Sequence, residues 1–587
     1  MTLLPALLLT ALAPLPATAQ TPAAAAPAGS ADARFDALAE AEYKWRQTLS
    51  AGSEDTPKDE RRGLPDVGPA TQAAKTRRWT ETIAALDAIP VARLSPAARD
   101  NYTVYRGQVE ALLAQQQFRD YEKPLNADSS FWIDLGYASR ATYRTEDEYR
   151  GYLKMLGDIP RYFDGNIANM RAGLKRGFTP PQITLQGRDI GVAEVVKAGA
   201  TDASPFYAPF RTMPAAIPAG RQAALRAEAK RVIAASVVPA HATLLAFLRD
   251  EYVPGARRTL AAYDLPDGRA YYTSKIAEFV TRDLTAEQIH AIGLAEVARI
   301  RTRMADVMRE VKWQGGLPAF LNFLRTDPQF YVKTPQALLD RAAWTAKEFD
   351  GKAARWFGRL PRARFAIEPV PADLAPFYTG GRGGPGMYLV NTWNLPARPL
   401  YSLPALTLHE SAPGHAWQMP FAMELEGQPD YRRDTYLSAY GEGWALYAEA
   451  LGEDMGLYHT PYEVFGMLSY QMWRAARLVV DTGIHAQGWS RERAQAFLRD
   501  NTALSNHEIT TEVDRYIAWP GQALSYYMGE LTFLAGRAKA EKALGDKFDI
   551  RAFHDAMLSL GSVPLPMVDA RVDRFIAEGG KGPYPLK

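Results

Sequence analysis

Two histidines and three glutamates crowd one stretch of the chain. They lie in His409-Glu410-Ser411-Ala412-Pro413-Gly414-His415, in Tyr440-Gly441-Glu442-Gly443-Trp444, and at Glu449. Imidazole nitrogens and carboxylate oxygens are the donors of a hydrolytic metal centre. A catalytic zinc takes three protein ligands, commonly two His and one Glu, and keeps a fourth position for water. The metal acidifies that water and polarises a carbonyl, while a neighbouring carboxylate takes the proton. Glu410, beside His409, is the expected general base.

The spacing determines what must position these groups. In His-Glu-x-x-His the ligands stand at i and i+4 on one helical face. Here 415 − 409 = 6, and six residues overshoot a full turn by roughly 240°, so a straight helix would hold the imidazoles apart. Proline removes a helical hydrogen bond and glycine accepts unusual backbone angles. The pair therefore predicts a helix interrupted at Pro413-Gly414, begun by Ser402 as cap with Pro404 in its first turn. Glu442 and Glu449 are seven residues apart and share nearly one helical face, so either can reach a metal.

The motif His-Glu-x-x-Pro-Gly-His followed by Glu-Gly-Trp-Ala resembles the signature of the bacterial domain of unknown function 885 family, itself similar to the gluzincin zinc metallopeptidases. Thr285–Leu294, Arg477–His485 and the block from Glu512 to Gly529 resemble the same family, so the likeness spans at least Asp283 to about Val568. Dipeptidyl peptidase III sets a precedent for an insertion between the two His ligands. The resemblance implies one zinc per chain on His409, His415 and Glu442. The last lies 442 − 415 = 27 residues after the second His, with Glu449 as its rival. It also implies an oxyanion donor, for which Tyr526 is the choice, Tyr527 the fallback and His507 a weaker candidate. Arg474, Arg477, Asp481 and His485 share a helical face, on which Asp481 or His485 is expected to support the metal or bind the substrate's terminus, with Arg477, Tyr527 and Arg537 as further substrate contacts. Gluzincins bind substrate backbone along an edge strand beside the metal helix. Tyr388 to Asn391 is the candidate strand, with Tyr388 and Asn391 as substrate contacts and Gly383 to Gly386 as a mobile neighbour.

The run Gly381-Arg382-Gly383-Gly384-Pro385-Gly386 matches Gly-x-Gly-x-x-Gly, but Met387 to Thr392 continues it as a strand. A dinucleotide fingerprint must open a helix, so no such cofactor is expected.

The rest of the chain is ordinary for a large enzyme. Its 587 residues are 47% hydrophobic, enough for more than one core, and a net charge of +2 gives no footprint for nucleic acid. Met1 to Ala19 reads as a signal peptide, although no Lys or Arg precedes Arg34. Residues 20–32 read as an Ala/Pro-rich linker. No further run of about 18 apolar residues stands out, so no stable membrane insertion is expected. Cysteine is absent, which removes disulfides, thiolate metal sites and the residue a lipid anchor needs. Helical periodicity dominates from residue 33 onward, and Thr285 with Gln288 forms a capping box. The expectation is a mainly α fold of two helical lobes, 33–263 and 264–587, around a deep cleft with a small β-element beside the metal helix. The function expected is zinc-dependent hydrolysis of short peptides in the periplasm or outside the cell. The alternatives are a non-catalytic peptide-binding or scaffold protein of the same fold, and a metal-dependent hydrolase of another amide or ester.

Overall fold

The computed structural model describes residues 29–49, 63–126, 129–372 and 374–584. The expected signal peptide, and the linker up to residue 28, lie outside them. The fold is mainly α; among the described residues there is one three-stranded sheet, with strand order β1-β3-β2. Its strands are β1 (Ala366–Pro369), β2 (Gly381–Gly384) and β3 (Met387–Val390).

The N-terminal stretch holds two cores. Helices Ala31–Gln47, Pro69–Asp87 and Pro96–Phe118 bury Phe35, Trp79, Leu86 and Tyr105 together with Tyr431, which comes from far along the chain. A second core gathers Leu156, Phe163, Leu244 and Tyr252 from Glu146–Arg176 and the helical run Ala219–Gly255. By length and hydropathy alone that run could cross a membrane. Ser236, Pro239, His241 and Thr243 interrupt its apolar letters in the sequence. Its inward face packs into the second core.

The largest core lies around the helix Pro461–Gln487, which runs along Ala286–Glu310. The predicted capping box is present: Gln288 N–H donates to Thr285 Oγ1 and Thr285 N–H donates to Gln288 Oε1. A third group of elements carries the metal motif: Leu403–Glu410, His415–Met423 and Ser438–Asp454, the last crossing Ser525–Leu544.

The segment before Ser438 is clasped from the N-terminal side. Tyr431 packs edge-on against Tyr105, Arg432 donates to Asn101 Oδ1 at 2.7 Å, and Gln108 donates to Thr435.

The sheet corrects one expectation. β3, the candidate edge strand at Tyr388 to Asn391, is the central strand: it pairs in parallel with β1 and antiparallel with β2. Both its edges are used, so it cannot take up a substrate strand.

Candidate metal centre

The motif helix breaks where Pro413-Gly414 predicts. Leu403–Glu410 ends, and a new helix begins at His415. Gly414 N–H donates to Leu408 O at 3.0 Å. A Cβ on Gly414 would fall 1.8 Å from His409 O, a distance no side chain tolerates. The indole N–H of Trp444 donates to Pro413 O at 2.7 Å and ties the break to the helix Ser438–Asp454.

That tie brings the ligand candidates together. His409 Nε2 and His415 Nε2 each lie 3.3 Å from Glu442 Oε2, and the two rings are nearly perpendicular. Glu442 Oε2 and His415 Nδ1 are buried without hydrogen-bond partners. Ligand atoms held about 2.0–2.1 Å from a tetrahedral cation stand about 3.3 Å from one another. The donor spacing thus fits a small divalent ion.

Electrostatics agree. Burial pushes His409 towards neutrality, yet the carboxylates of Glu442 and Glu449 beside it prevail and raise its pKa to about 10. Burial pushes the Glu442 carboxyl up, but His415 and His409 hold it well below the usual carboxylate range. The cluster draws positive charge, whether protons or a metal.

Three carboxylates surround the imidazoles, and they differ in what they touch. His409 Nδ1–H donates to Glu449 Oε1 at 2.8 Å, which turns Nε2 towards Glu442. Glu410 joins His409 and His415 in a group whose ligand atoms all lie within 4.8 Å, able to hold a metal ion. Glu410 Oε2 already accepts Gly383 N–H at 2.6 Å, whereas Glu442 Oε2 is unbonded and equidistant from both Nε2 atoms. By distance Glu442 is better placed than Glu410 to complete a set of three donors with the two imidazoles. The glycine run that sequence marks as mobile is β2. Gly383 presses so closely on the motif helix that a Cβ would sit 1.8 Å from Glu410 O.

The other candidates fall in different places. Tyr526 is buried, with its hydroxyl bonded by Arg515 at 3.1 Å and its ring beneath Arg477 at 4.2 Å. Tyr527 turns the other way, donating to Glu296 at 2.9 Å and accepting from Arg299. His507 is exposed. Arg477 bonds Glu512 and Tyr516. His485 is enclosed between Ala262 N–H and Tyr516 O, and burial lowers its pKa to about 3. Asn391 spends its amide on the carbonyls of Ala375, Tyr378 and Thr379. Tyr388 is buried against Thr407. Arg537 pairs with Asp454 and Glu541. Tyr527, His485, Asn391 and Arg537 therefore serve packing and ion pairing, and the expected substrate contacts do not gather at the metal cluster.

Sequence reasoning missed Tyr436. The residue is 43% exposed, while its hydroxyl reaches Glu442 Oε1 at 3.4 Å. Burial first, then the charge of Glu442, holds its proton on well above the ordinary phenol range. Tyr526 lies within electrostatic reach of it. The flanking glycines were the available signal. A Cβ on Gly441 would strike the Tyr436 ring at 2.3 Å, and one on Gly443 would strike Gly529 Cα at 2.3 Å.

A mainly α chain that builds a His/Glu cluster able to hold a metal ion is the class these observations define. The chain belongs to the family described as "Bacterial protein of unknown function (DUF885)", matched over residues 47–572; the likeness thus reaches much further towards the N-terminus than Asp283. Two solved structures are similar. One is "the putative lipoprotein from Colwellia psychrerythraea", 26% identical over 93% of this chain and 99% of that one, with a TM-score of 0.86. The other is "a putative lipoprotein of unknown function from Shewanella oneidensis", 16% identical over 92% and 99%, with a TM-score of 0.69. No curated protein matches.

Proposed function

We propose that this chain is a zinc-dependent hydrolase of peptide bonds, a gluzincin-like metallopeptidase with its site in a cleft between two helical lobes, acting on short peptides outside the cytoplasm. The observation that carries the reading is the convergence of His409 Nε2 and His415 Nε2 on the unbonded Glu442 Oε2 at 3.3 Å, with Glu410 adjoining. Export is supported by the description of both similar structures as lipoproteins and by the apolar start from Met1 to Ala19.

A bound zinc supplies an acidified water and an electrophile for the carbonyl. His409, His415 and Glu442 would hold it, and Glu449 fixes the tautomer of His409 through Nδ1. Glu410 takes the proton from the attacking water and returns it to the leaving nitrogen; the Gly383 N–H keeps its carboxylate oriented. The Tyr436 hydroxyl, kept protonated, and Tyr526 behind it are the donors available to a developing oxyanion.

The test is metal content by mass spectrometry with peptide hydrolysis measured alongside. Wild type and Glu410→Gln are each expected to carry about one zinc per chain, with hydrolysis reduced by about 10²–10⁴-fold in the variant. His409→Ala and Glu442→Ala are expected to lose the metal. A wild type that takes up no metal overturns the reading and leaves a binding protein of the same fold.

A further inference from the structure

A cavity of about 260 Å³ opens beside Glu410 and runs to Arg474 on the helix Pro461–Gln487. Arg474 is only 4% exposed, yet its Nε and Nη1 have no hydrogen-bond partner. The nearest acid is Glu449, 3.8 Å from Nη2, beyond a hydrogen bond. The guanidinium is held flat by Trp473 at 4.1 Å and Tyr470 at 4.6 Å. A buried, oriented guanidinium with open donors is expensive unless something accepts from it. Its planar fork matches a carboxylate.

The cavity wall suits the same ligand. Arg325 and Arg398 line it as well, against Glu410 and Glu508, so its charged residues sum to 3 − 2 = +1. Arg325 is tied to the carbonyls of Thr502, Ala503 and Leu504, and Arg398 faces Glu508 at 3.6 Å. Arg398 Nε is unpartnered as well, but Arg474 has two unpartnered donors and is the arginine that lies beside Glu449. Leu338, Leu403 and Leu406 make the wall apolar between the charges.

We propose that Arg474 anchors a substrate carboxylate, so that the hydrolase acts next to the carboxyl end of its peptide and the cavity receives the residue or two beyond the scissile bond. The inference rests on the peptidase reading for its chemistry and on Arg474 alone for its specificity. In the reaction the amide C–N bond breaks; water gives its oxygen to the carbonyl carbon and a proton to the leaving amine, and Arg474 holds the released fragment. The α-carboxylate and an acidic side chain share this chemistry.

Binding to zinc-loaded Glu410→Gln protein separates the sources. The probes are trileucine as free acid, trileucine amide, and Leu-Leu-Glu amide, measured by calorimetry. The free acid is expected to bind about 10²-fold more tightly than trileucine amide. That preference should vanish in the double variant Glu410→Gln/Arg474→Met and survive in part in Glu410→Gln/Arg474→Lys, with melting temperature and zinc content checked in each. Equally tight Leu-Leu-Glu amide identifies a side-chain carboxylate as the ligand. Equal or undetectable binding of all three overturns the proposal. Hydrolysis by the Glu410-intact protein is read separately: carboxylate-dependent binding without hydrolysis sinks the peptidase reading and leaves the anchor standing.

Discussion

Glu442 and Glu449 are seven residues apart and offer the same chemistry, yet they face different nitrogens. Glu442 Oε2 lies 3.3 Å from both Nε2 atoms, while Glu449 accepts from His409 Nδ1. A carboxylate behind a ligand histidine orients it, and its loss typically weakens metal binding 10–100-fold without abolishing it. Glu449→Gln is therefore expected to raise the zinc dissociation constant by about that factor yet fill at saturating zinc, whereas Glu442→Ala should not fill. A metal titration with a fluorescent chelator as competitor checks this; the reverse order would make Glu449 the ligand. Sequence placed both glutamates on one face and could not choose by spacing. A difference of one helical repeat becomes a difference of nitrogen only once the ring of His409 has been oriented. Tyr436 was less legible still, because a loop residue has no periodicity to announce where its hydroxyl points.

At the scale of elements, the legible part was local. Pro413-Gly414 foretold the break, and Thr285 with Gln288 foretold a helix start; both are signals written within a few residues. The sheet was misread because its decisive partner, β1, lies well upstream of β3 and pairs in parallel, which no turn residue marks. The glycine run then forms an edge strand, and at Gly383, where it meets the motif helix, there is no room for a Cβ. Gly383→Ala puts a methyl 1.8 Å from Glu410 O. It is expected to cost about 1–3 kcal/mol and to lower turnover more than substrate affinity, because it shifts the N–H that orients Glu410. Gly380→Ala meets only Leu406 at 3.5 Å and is the control, expected within about 0.5 kcal/mol of wild type. Chemical denaturation and kinetics of the two variants decide the matter. An unaffected Gly383→Ala would mean that β2 does not set the position of Glu410.

The whole molecule carries titrating groups that bond to none of the residues of the metal cluster. Asp481 is buried in the helix Pro461–Gln487, where it accepts from Tyr272 at 2.5 Å and from Gly521 N–H at 3.2 Å. Burial outweighs these bonds and raises its pKa from 3.8 to about 7. The folded state thus binds this proton more tightly than the unfolded chain, and stability falls as pH rises from about 4 to 7. His485, lowered to about 3, works the other way, so that stability rises with pH between about 3 and 6.5. Asp481→Asn removes the first effect only. Its denaturation free energy relative to wild type is expected to improve between pH 4 and pH 8, by at most about 4 kcal/mol; a pH-independent difference would show that Asp481 is ionised throughout. Composition bounded the size and class of this molecule, but the sequence did not announce that the N-terminal stretch splits into two cores. Tyr431 joins the first of them from more than three hundred residues away in the chain, and no local pattern carries such a contact.

The same clasp limits how the chain can be divided. Tyr431, Arg432 and Thr435 are gripped by Tyr105, Asn101 and Gln108, and Tyr436 follows directly. The half that bears the metal ligands is consequently no portable cassette. Cut free of the helix Pro96–Phe118 and everything before it, it would keep every ligand, but lose the outside hand on the loop that aims a hydroxyl at them.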